Sequence, residues 1–262
     1  MTILSLVSAK GGVGKTTVSI NLSSALSPHF ETNNSSVILV DADFIHPNIS
    51  LNLGFPNLTK NLNSAINGTH PVHSCLYQHN SGLKFVPSSI FQKDYHNSLI
   101  THLKPHLIDL SKRKPHAHFP KRGASTNSMA QNNSTNLVVV DSADDHFHTM
   151  HTMQASDHVI AVCTACPNSV HDTKKFIEQS NSIGINIEGV IVNQFKSDEF
   201  DHSLFEISEK LSKPILGVIP FDNSVRSASK LNHPVVFAHP DSDSASAFRK
   251  LAVSLLAGDP YA

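Results

Sequence analysis

The sequence has little cysteine, almost no excess of either charge, and no long run of apolar residues. Only 3 of its 262 residues are cysteine, an odd number that argues against a disulfide framework and favours a reducing compartment. Lys and Arg number 20 and Asp and Glu 21, so a globally basic nucleic-acid binder is not indicated. The longest aliphatic runs, such as 37–40, are far shorter than the ~20 residues that a bilayer requires. The chain also opens without a basic, apolar leader, and we expect a soluble cytoplasmic protein.

Short aliphatic runs alternate with stretches of helical periodicity along most of the chain. Ile3–Val7 leads through a glycine-rich turn into helical spacing over Lys15–Leu26. Such short runs are typical of strands buried on both faces of a parallel sheet. Further strands are predicted at 37–40, 83–86, 137–140, 159–162, 189–192 and 215–219, and further helices at 169–183, 204–211 and 247–257. This alternation predicts one α/β domain over residues 1–262, a doubly wound, mostly parallel sheet with helices on both faces.

One stretch, Ser111–Asn136, departs from this alternation. It is rich in Lys, Arg, His, Pro, Gly, Ser and Asn, and this composition predicts a disordered surface insertion. Its basic residues are Lys112, Arg113, Lys114, Lys121 and Arg122. These residues could contact a membrane or nucleic acid. A solvated surface loop is the simpler interpretation.

The most specific signal is the loop Ala9–Thr17, which lies between the first predicted strand and the first helix. Its glycines allow successive backbone N–H groups to point at phosphate oxygens without clashes from Cβ atoms. Lys15 is placed to reach the terminal phosphates and Thr16 to hold Mg²⁺, and the helix N-terminus favours an anion. The general pattern has a glycine where this chain has Ala9. The predicted nucleotide-binding residues here are Gly11, Gly12, Val13, Gly14, Lys15, Thr16 and Thr17.

A second lysine, Lys10, makes this loop more specific. The string Lys-Gly-Gly-Val-Gly-Lys-Thr-Thr at 10–17 resembles the deviant Walker A motif of the MinD/ParA family of ATPases. Asp41 and Asp43 stand where that family has switch I, two aspartates one residue apart after the second strand. The stretches 65–87, 190–193 and 216–226 are also similar to the family, the first to its MinD (septum site-determining) branch. The resemblance covers nearly the whole chain outside 111–136 and implies the P-loop NTPase fold.

The resemblance implies ATP and Mg²⁺ as cofactors and a catalytic role for three residues. Lys10 is expected to cross the interface of an ATP-sandwich dimer and contact the partner subunit's nucleotide. Lys15 is expected to bind the phosphates, and Asp43 to position the attacking water. These roles suit phosphoryl transfer, which depends on positioning and on neutralising spread negative charge.

The remaining implied roles concern the metal ion and the base. Thr16 is expected to bind Mg²⁺, Asp41 to lie near the ion, and Asp141 to hold it through water. Asn193 is expected to read the edge of the adenine base. Each aspartate also has a purely local interpretation. Asp41 and Asp43 suit a turn after a strand, and Asp141 suits the N-cap of the next helix. Asn193 at a strand end is similarly compatible with a turn residue.

Two segments depart from the family pattern. After Asp141 the family has Pro-Ala-Gly or a close variant, whereas this chain reads Ser-Ala-Asp-Asp at 142–145. The family's glycine lets the backbone approach the γ-phosphate, so its absence here puts γ-phosphate sensing and hydrolysis in question. ATP binding is not affected, because the phosphate loop supplies it. The helical pattern at 247–257 is followed only by Gly258–Ala262, so no C-terminal membrane-targeting helix is evident.

Two clusters have the residue types of metal sites. His146, His148 and His151 could ligate a transition metal, although 18 histidines are scattered along the chain. Cys163 and Cys166 have Cys-x-x-Cys spacing, which suits redox or metal chemistry, and a four-thiolate site could form only across a dimer. Two small apolar side chains at a strand end are the alternative for these cysteines.

The resulting hypothesis is a MinD-like ATPase that forms a homodimer on ATP, serves as a spatial switch and releases an activating or cargo partner on hydrolysis. Placement of the division site or of another cellular structure is its expected role. We expect it in the cytoplasm, with access to a membrane only through a partner. The alternatives are a ParA-type partition ATPase that binds DNA, an iron–sulfur carrier, and a nucleotide-binding scaffold that has lost hydrolysis.

Overall fold

The computed structural model describes residues 2–31, 35–91, 94, 97–112, 135–196 and 198–258. Within these ranges eight strands form one sheet. They are β1 (Thr2–Val7), β2 (Val37–Asp41), β3 (Tyr77–Gln78), β4 (Lys84–Val86), β5 (Leu137–Asp141), β6 (His158–Cys163), β7 (Gly189–Phe195) and β8 (Ile215–Pro220). Their order is β3-β4-β2-β5-β1-β6-β7-β8, and every neighbouring pair is parallel except β3 and β4.

Helices connect most of the strands and lie on both faces of the sheet. They are α1 (Lys15–Glu31), α2 (Ile49–Asn52), α3 (Leu62–Ile66), α4 (Leu103–Ser111), α5 (His146–Gln154), α6 (Pro167–Ser182), α7 (Leu204–Leu211), α8 (Asn223–Lys230), α9 (Val235–Ala238) and α10 (Asp243–Ala257). Short 3₁₀ helices cover Val72–Cys75 and Asn97–His102. In the part of the chain that the structure describes, no helix has both the length and the apolarity to cross a bilayer.

The predicted burial on both faces of the sheet is confirmed. β2 and β5 are buried at all five of their positions, and successive side chains enter opposite cores. Val139 belongs to the core formed with α1, α9 and α10, whereas Val138 and Val140 pack with α3 and α4. A third core lies between β6 and β7 and the helices α6 and α7. Each fully buried aliphatic side chain stabilises the fold by roughly 1.5–3 kcal/mol, so this pattern fixes the register of the strands.

The predicted strands and helices match the observed ones to within about five residues, and α10 begins at Asp243 rather than at 247. No range was predicted for the helices α2, α3, α4, α5, α8 and α9. Helix α1 continues past Leu26 to Glu31 and includes Pro28, which has no N–H to donate within the helix and lies in its last turn. The antiparallel strand β3 was not predicted, since two residues are too few to show a period. The doubly wound architecture places the carboxyl ends of β1, β2 and β5 at one edge, where the phosphate loop begins.

The structure describes only the ends of the predicted insertion at 111–136. Ser111 is buried as the last residue of α4, so the insertion begins later than its composition indicated. Asn136 donates Nδ2 to the carbonyl of Leu110 at 2.9 Å, and its Oδ1 accepts the N–H of Ser36 at 3.0 Å. The bond to Leu110 holds the two ends of the segment together, and the bond with Ser36 joins Asn136 to the residue before β2. Residues 113–134, with most of the basic run, lie outside the described residues.

A histidine pair joins the β3–β4 hairpin to the segment before α9 and predicts a pH dependence of stability. The ring nitrogen Nδ1 of buried His79 accepts the backbone N–H of Ser81 at 3.0 Å, so the neutral ring carries its proton on Nε2, which lies 3.1 Å from Nδ1 of His233. Burial, with a smaller effect of His233, lowers the pKa of His79 below 6.5. A lowered histidine pKa means that the unfolded chain binds the proton first, so this contribution to stability is lost as the pH falls below 6.5.

We therefore expect His79→Asn to be less stable than the unmodified chain near neutral pH but less sensitive to acid. The asparagine oxygen can still accept the Ser81 N–H, while the titrating ring is gone. Urea unfolding at roughly pH 7.5 and 5.5 should show a smaller loss of unfolding free energy for His79→Asn than for the unmodified chain. An equal loss in both proteins would show that His79 does not carry this pH dependence.

Candidate nucleotide-binding site

The phosphate loop joins β1 to α1, and two of its glycines are required by the backbone. Gly12 and Gly14 have φ of 82° and 85°, in the left-handed region that side chains disfavour. A Cβ at Gly14 would overlap the amide nitrogen of Asn193, because β7 ends directly beside the loop. The loop therefore has the tight backbone path that phosphate binding requires.

Lys15 is the first residue of α1, and oxygen atoms surround its ammonium group. Its side chain is only 5% exposed, and Nζ lies 3.5 Å from Oδ1 of both Asp141 and Asp144. Nζ also donates to the carbonyl oxygen of Ser142. Burial alone would lower the pKa of Lys15, but the carboxylates of Asp141, Asp144 and Asp43 outweigh it and the pKa is raised. The lysine is therefore a fixed positive charge at the end of the loop.

Asp141 ends β5 and accepts hydrogen bonds from two hydroxyl groups of α1. Thr16 donates Oγ1 to Oδ2 at 2.6 Å, and Ser19 donates Oγ to Oδ1 at 2.8 Å. The N-cap of α5 is Asp145, whose Oδ1 accepts the N–H of His148 at 3.0 Å. The N-cap alternative for Asp141 is therefore wrong, and its carboxylate faces the phosphate loop instead.

Asp41 and Asp43 follow β2 and lie at the same edge of the sheet. Asp41 pairs in register with Asp141, and its carboxylate accepts the N–H groups of Asp43, Asn48 and Ile49 at 3.1–3.2 Å. Oδ1 of Asp43 accepts the N–H groups of Ile45 and His46 at 3.1 and 2.8 Å. Both aspartates thus shape a turn, as their local interpretation predicts. Both also lie near Asp141, and Asp43 lies near Lys15 as well.

The acidic groups at this edge repel one another. Burial, followed by the charges of Asp141 and Asp43, raises the pKa of Asp41 well above its usual range. Burial also raises the pKa of Asp43, against the effect of its N–H donors and Lys15. Together with the hydroxyl of Thr16, these carboxylates form an oxygen donor set that a divalent cation would suit and whose repulsion it would relieve.

This donor set fits Mg²⁺ that is shared with phosphate oxygens and water. Among the described residues, no group of three or more His, Cys, Asp or Glu side chains is arranged to hold a metal on its own. Mg²⁺ at phosphate sites usually takes one or two protein ligands and keeps several waters. The predicted ligands Thr16, Asp41 and Asp141 are brought together in a way that is compatible with such a site.

Asn193 lies beside the loop, within β7 and two residues before its last residue, Phe195. It is buried and donates Nδ2 to the carbonyl of Val13 at 2.8 Å, which supports the loop from below. Beside it is a cavity of about 170 Å³ lined by Thr17, Asn193, Phe221, Arg226 and others. Gln194 also lines it and has φ of 57°, an unusual backbone conformation that is common at functional sites. The prediction that Asn193 reads adenine stays a prediction.

The structure separates the two lysines of the loop. Lys15 is buried with the aspartates, whereas Lys10 is exposed at the surface. Sequence reasoning missed three residues that contact this group: Ser19, Ser142 through its carbonyl, and Asp144 as the partner of Lys15. Ser19 follows Lys15 by four positions and therefore shares its helix face, a signal that could have identified it.

The histidine and cysteine clusters have other contacts in the structure. His148 is buried with Nδ1 2.8 Å from Oδ1 of Asp145, and Nδ1 of His151 lies 2.9 Å from the carbonyl of Phe147. Cys163 is buried in the core between β6 and α6, and burial raises the pKa of its thiol to about 12. Cys166 is exposed at the N-terminus of α6. A thiolate ligand is disfavoured at Cys163, so its environment favours the packing interpretation.

Comparison with known proteins finds relatives that match this chain along most of its length. The chain is 25% identical over 254 residues to an uncharacterized ATP-binding protein of Methanocaldococcus jannaschii, covering 97% of this chain and 87% of that one. It is 27% identical over 270 residues to an iron–sulfur cluster carrier protein of Methanococcus maripaludis, covering 97% and 83%.

A solved structure with the same fold is the septum site-determining protein MinD of Pyrococcus horikoshii, complexed with Mg-ADP. Its TM-score is 0.79 at 26% sequence identity, over 98% of this chain and 97% of that one. The P-loop NTPase fold implied by the sequence is therefore confirmed. Residues 4–235 match the CobQ/CobB/MinD/ParA nucleotide binding domain, and the chain accordingly belongs to that family.

Proposed function

We propose that this protein binds Mg-ATP, dimerises around it, and acts as a MinD-like switch in division-site placement or in positioning another cellular structure. The observation that supports the proposal is the different exposure of the two lysines in the loop. Lys15 is 5% exposed and bound to Asp141, while Lys10, on the same short loop, is exposed and available to a second copy. A site in which one lysine is buried beside the aspartates and the other faces solvent suits an ATP that two subunits share.

Within one subunit, the described residues supply binding, positioning and charge neutralisation. The loop N–H groups and Lys15 would hold the phosphates, and Thr16 and Asp141 would hold Mg²⁺, which neutralises developing negative charge. Both N–H donors to Asp43 use Oδ1, which leaves Oδ2 to orient an attacking water. Asp41 would lie beside the ion, because it pairs in register with Asp141.

The nucleotide state would then control a surface that exists only in the dimer, and an activating or cargo protein would read that surface. The MinD of Pyrococcus horikoshii, with the same fold and bound Mg-ADP, supports the nucleotide and the metal in this proposal. Residence in the cytoplasm, with membrane access through a partner, is part of the same proposal.

The proposal is tested by measuring mass with light scattering on a sizing column. Asp43→Ala removes the residue proposed to orient water, so ATP should persist during the run. We expect twice the monomer mass with Mg-ATP and the monomer mass with Mg-ADP. The unmodified chain with a non-hydrolysable ATP analogue is the control, because it traps the same state without a substitution. A monomer under all of these conditions would refute the dimeric switch.

A further inference from the structure

The carboxylate of Asp144 lies across the phosphate loop. Its Oδ1 is 3.5 Å from Nζ of Lys15 and 3.5 Å from Oγ of Ser8. On the other side, a Cβ built on Gly11 would lie 3.0 Å from Oδ2, so the carboxylate is also close to the loop backbone. Asp144 therefore lies beside Gly11 of the loop, within 3.5 Å of Ser8 after β1 and of Lys15.

Among the described residues, the contacts that shape this turn do not require an acid at position 144. The N-cap of α5 is the next residue, Asp145, which accepts the backbone N–H of His148. The turn itself is fixed by Thr149, whose Oγ1 donates to the carbonyl of Ala143 at 2.8 Å. The side chain of Asp144 is 46% exposed, so water can solvate its carboxylate if another anion displaces it from Lys15. Its ionic partner is the lysine that a phosphate chain requires.

We propose that Asp144 acts as a built-in anion that competes with the γ-phosphate for Lys15, and so sets the preference between ATP and ADP. The inference rests on the proposed nucleotide site. A phosphate-loop lysine reaches the β- and γ-phosphates, and a γ-phosphate brings additional negative charge close to this carboxylate. ATP must therefore displace or tolerate Asp144, whereas ADP avoids most of that repulsion.

The test compares Asp144→Asn with the unmodified chain in calorimetric titrations with Mg-ADP and with a Mg-bound, non-hydrolysable ATP analogue. Asparagine keeps the shape and a contact to Ser8 but removes the charge. We expect affinity for the analogue to rise about tenfold and affinity for ADP to rise less than about threefold. Asp172→Asn is the matched control, because Asp172 lines the same 270 Å³ surface pocket as Asp144 without being an ionic partner of Lys15.

Three results would overturn the inference while leaving the nucleotide site intact. Equal gains for the analogue and ADP would mean that Asp144 does not discriminate the γ-phosphate. An equal gain in Asp172→Asn would assign the effect to net charge. A weaker analogue affinity in Asp144→Asn would mean that the carboxylate helps to hold the Mg-bound triphosphate. If the unmodified chain and both variants bind neither nucleotide, the proposed function fails, and the inference fails with it.

Discussion

Lys15→Ala is expected to abolish nucleotide binding at any practical concentration. The substitution removes the charge that the loop places between β1, β5 and the phosphates, and no other described lysine is buried beside Asp141. Hydrogen bonds to a charged group contribute about 1.5–3 kcal/mol each, and Lys15 would make at least two to the phosphates. The expected loss is therefore on the order of 10²–10⁴ in affinity.

Calorimetric titration with Mg-ADP measures this loss without interference from hydrolysis. Ser19→Ala is the matched control, because Ser19 lies on the same face of α1 and donates to the same carboxylate of Asp141 at 2.8 Å. It loosens Asp141 without removing a phosphate contact, and we expect its affinity to stay within about threefold of the unmodified chain. Retention of tight binding in Lys15→Ala would remove the argument for a phosphate loop.

The same substitution has a second expected consequence, on stability. Lys15 is the cation that Asp141, Asp144 and Asp43 share, and its removal leaves buried carboxylates without compensation. Breaking a buried ion pair costs about 3–5 kcal/mol, part of which the exposed Asp144 recovers from water. Urea unfolding should therefore show a less stable but folded chain. Lys15→Met retains the apolar stem and separates the loss of charge from the loss of packing.

The sequence was sufficient to predict the seven parallel strands and the phosphate loop, because both depend on local pattern. Four aliphatic residues in a row at 37–40 and 137–140 already require burial on both faces, and the sheet places them there. Glycines at 12 and 14 already indicated the backbone conformations that the structure shows. These features need no knowledge of distant parts of the chain.

Other features depended on contacts between distant residues and could not be predicted in this way. Asp144 is 129 positions from Lys15, and only the pairing of β1 with β5 brings the two together. The sequence marked this turn as a departure from the family pattern but gave no partner for its carboxylates. Asn193 is a similar case, since its bond to the Val13 carbonyl depends on where β7 lies in the sheet.

Lys10→Ala is expected to retain nucleotide binding and to lose the ATP-dependent dimer. Lys10 is exposed and the inward contacts of the loop belong to Lys15, so truncating Lys10 leaves the site within one subunit intact. A charge that crosses an interface to a phosphate is desolvated there, and its removal typically costs 2–5 kcal/mol of association. Dimer affinity should therefore fall by roughly 30-fold or more.

The measurement combines calorimetry for nucleotide affinity with light scattering for mass, both with a non-hydrolysable ATP analogue. Lys250→Ala is the matched control, because Lys250 is an exposed lysine on α10 beside the edge strand β8. It removes the same charge from another surface, and we expect its dimer to persist. A normal dimer in Lys10→Ala would show that the outward lysine does not cross the interface.

The two lysine variants together distinguish nucleotide binding from dimerisation, which a measurement of activity alone would not separate. Lys15→Ala should fail at nucleotide binding and therefore also at dimerisation, whereas Lys10→Ala should fail only at the second step. This order follows from geometry, since one ammonium group is enclosed by Asp141, Asp144 and the Ser142 carbonyl and the other faces solvent. If both variants lost nucleotide binding, the two lysines would serve one site within a single subunit, and the argument for a shared ATP would fail.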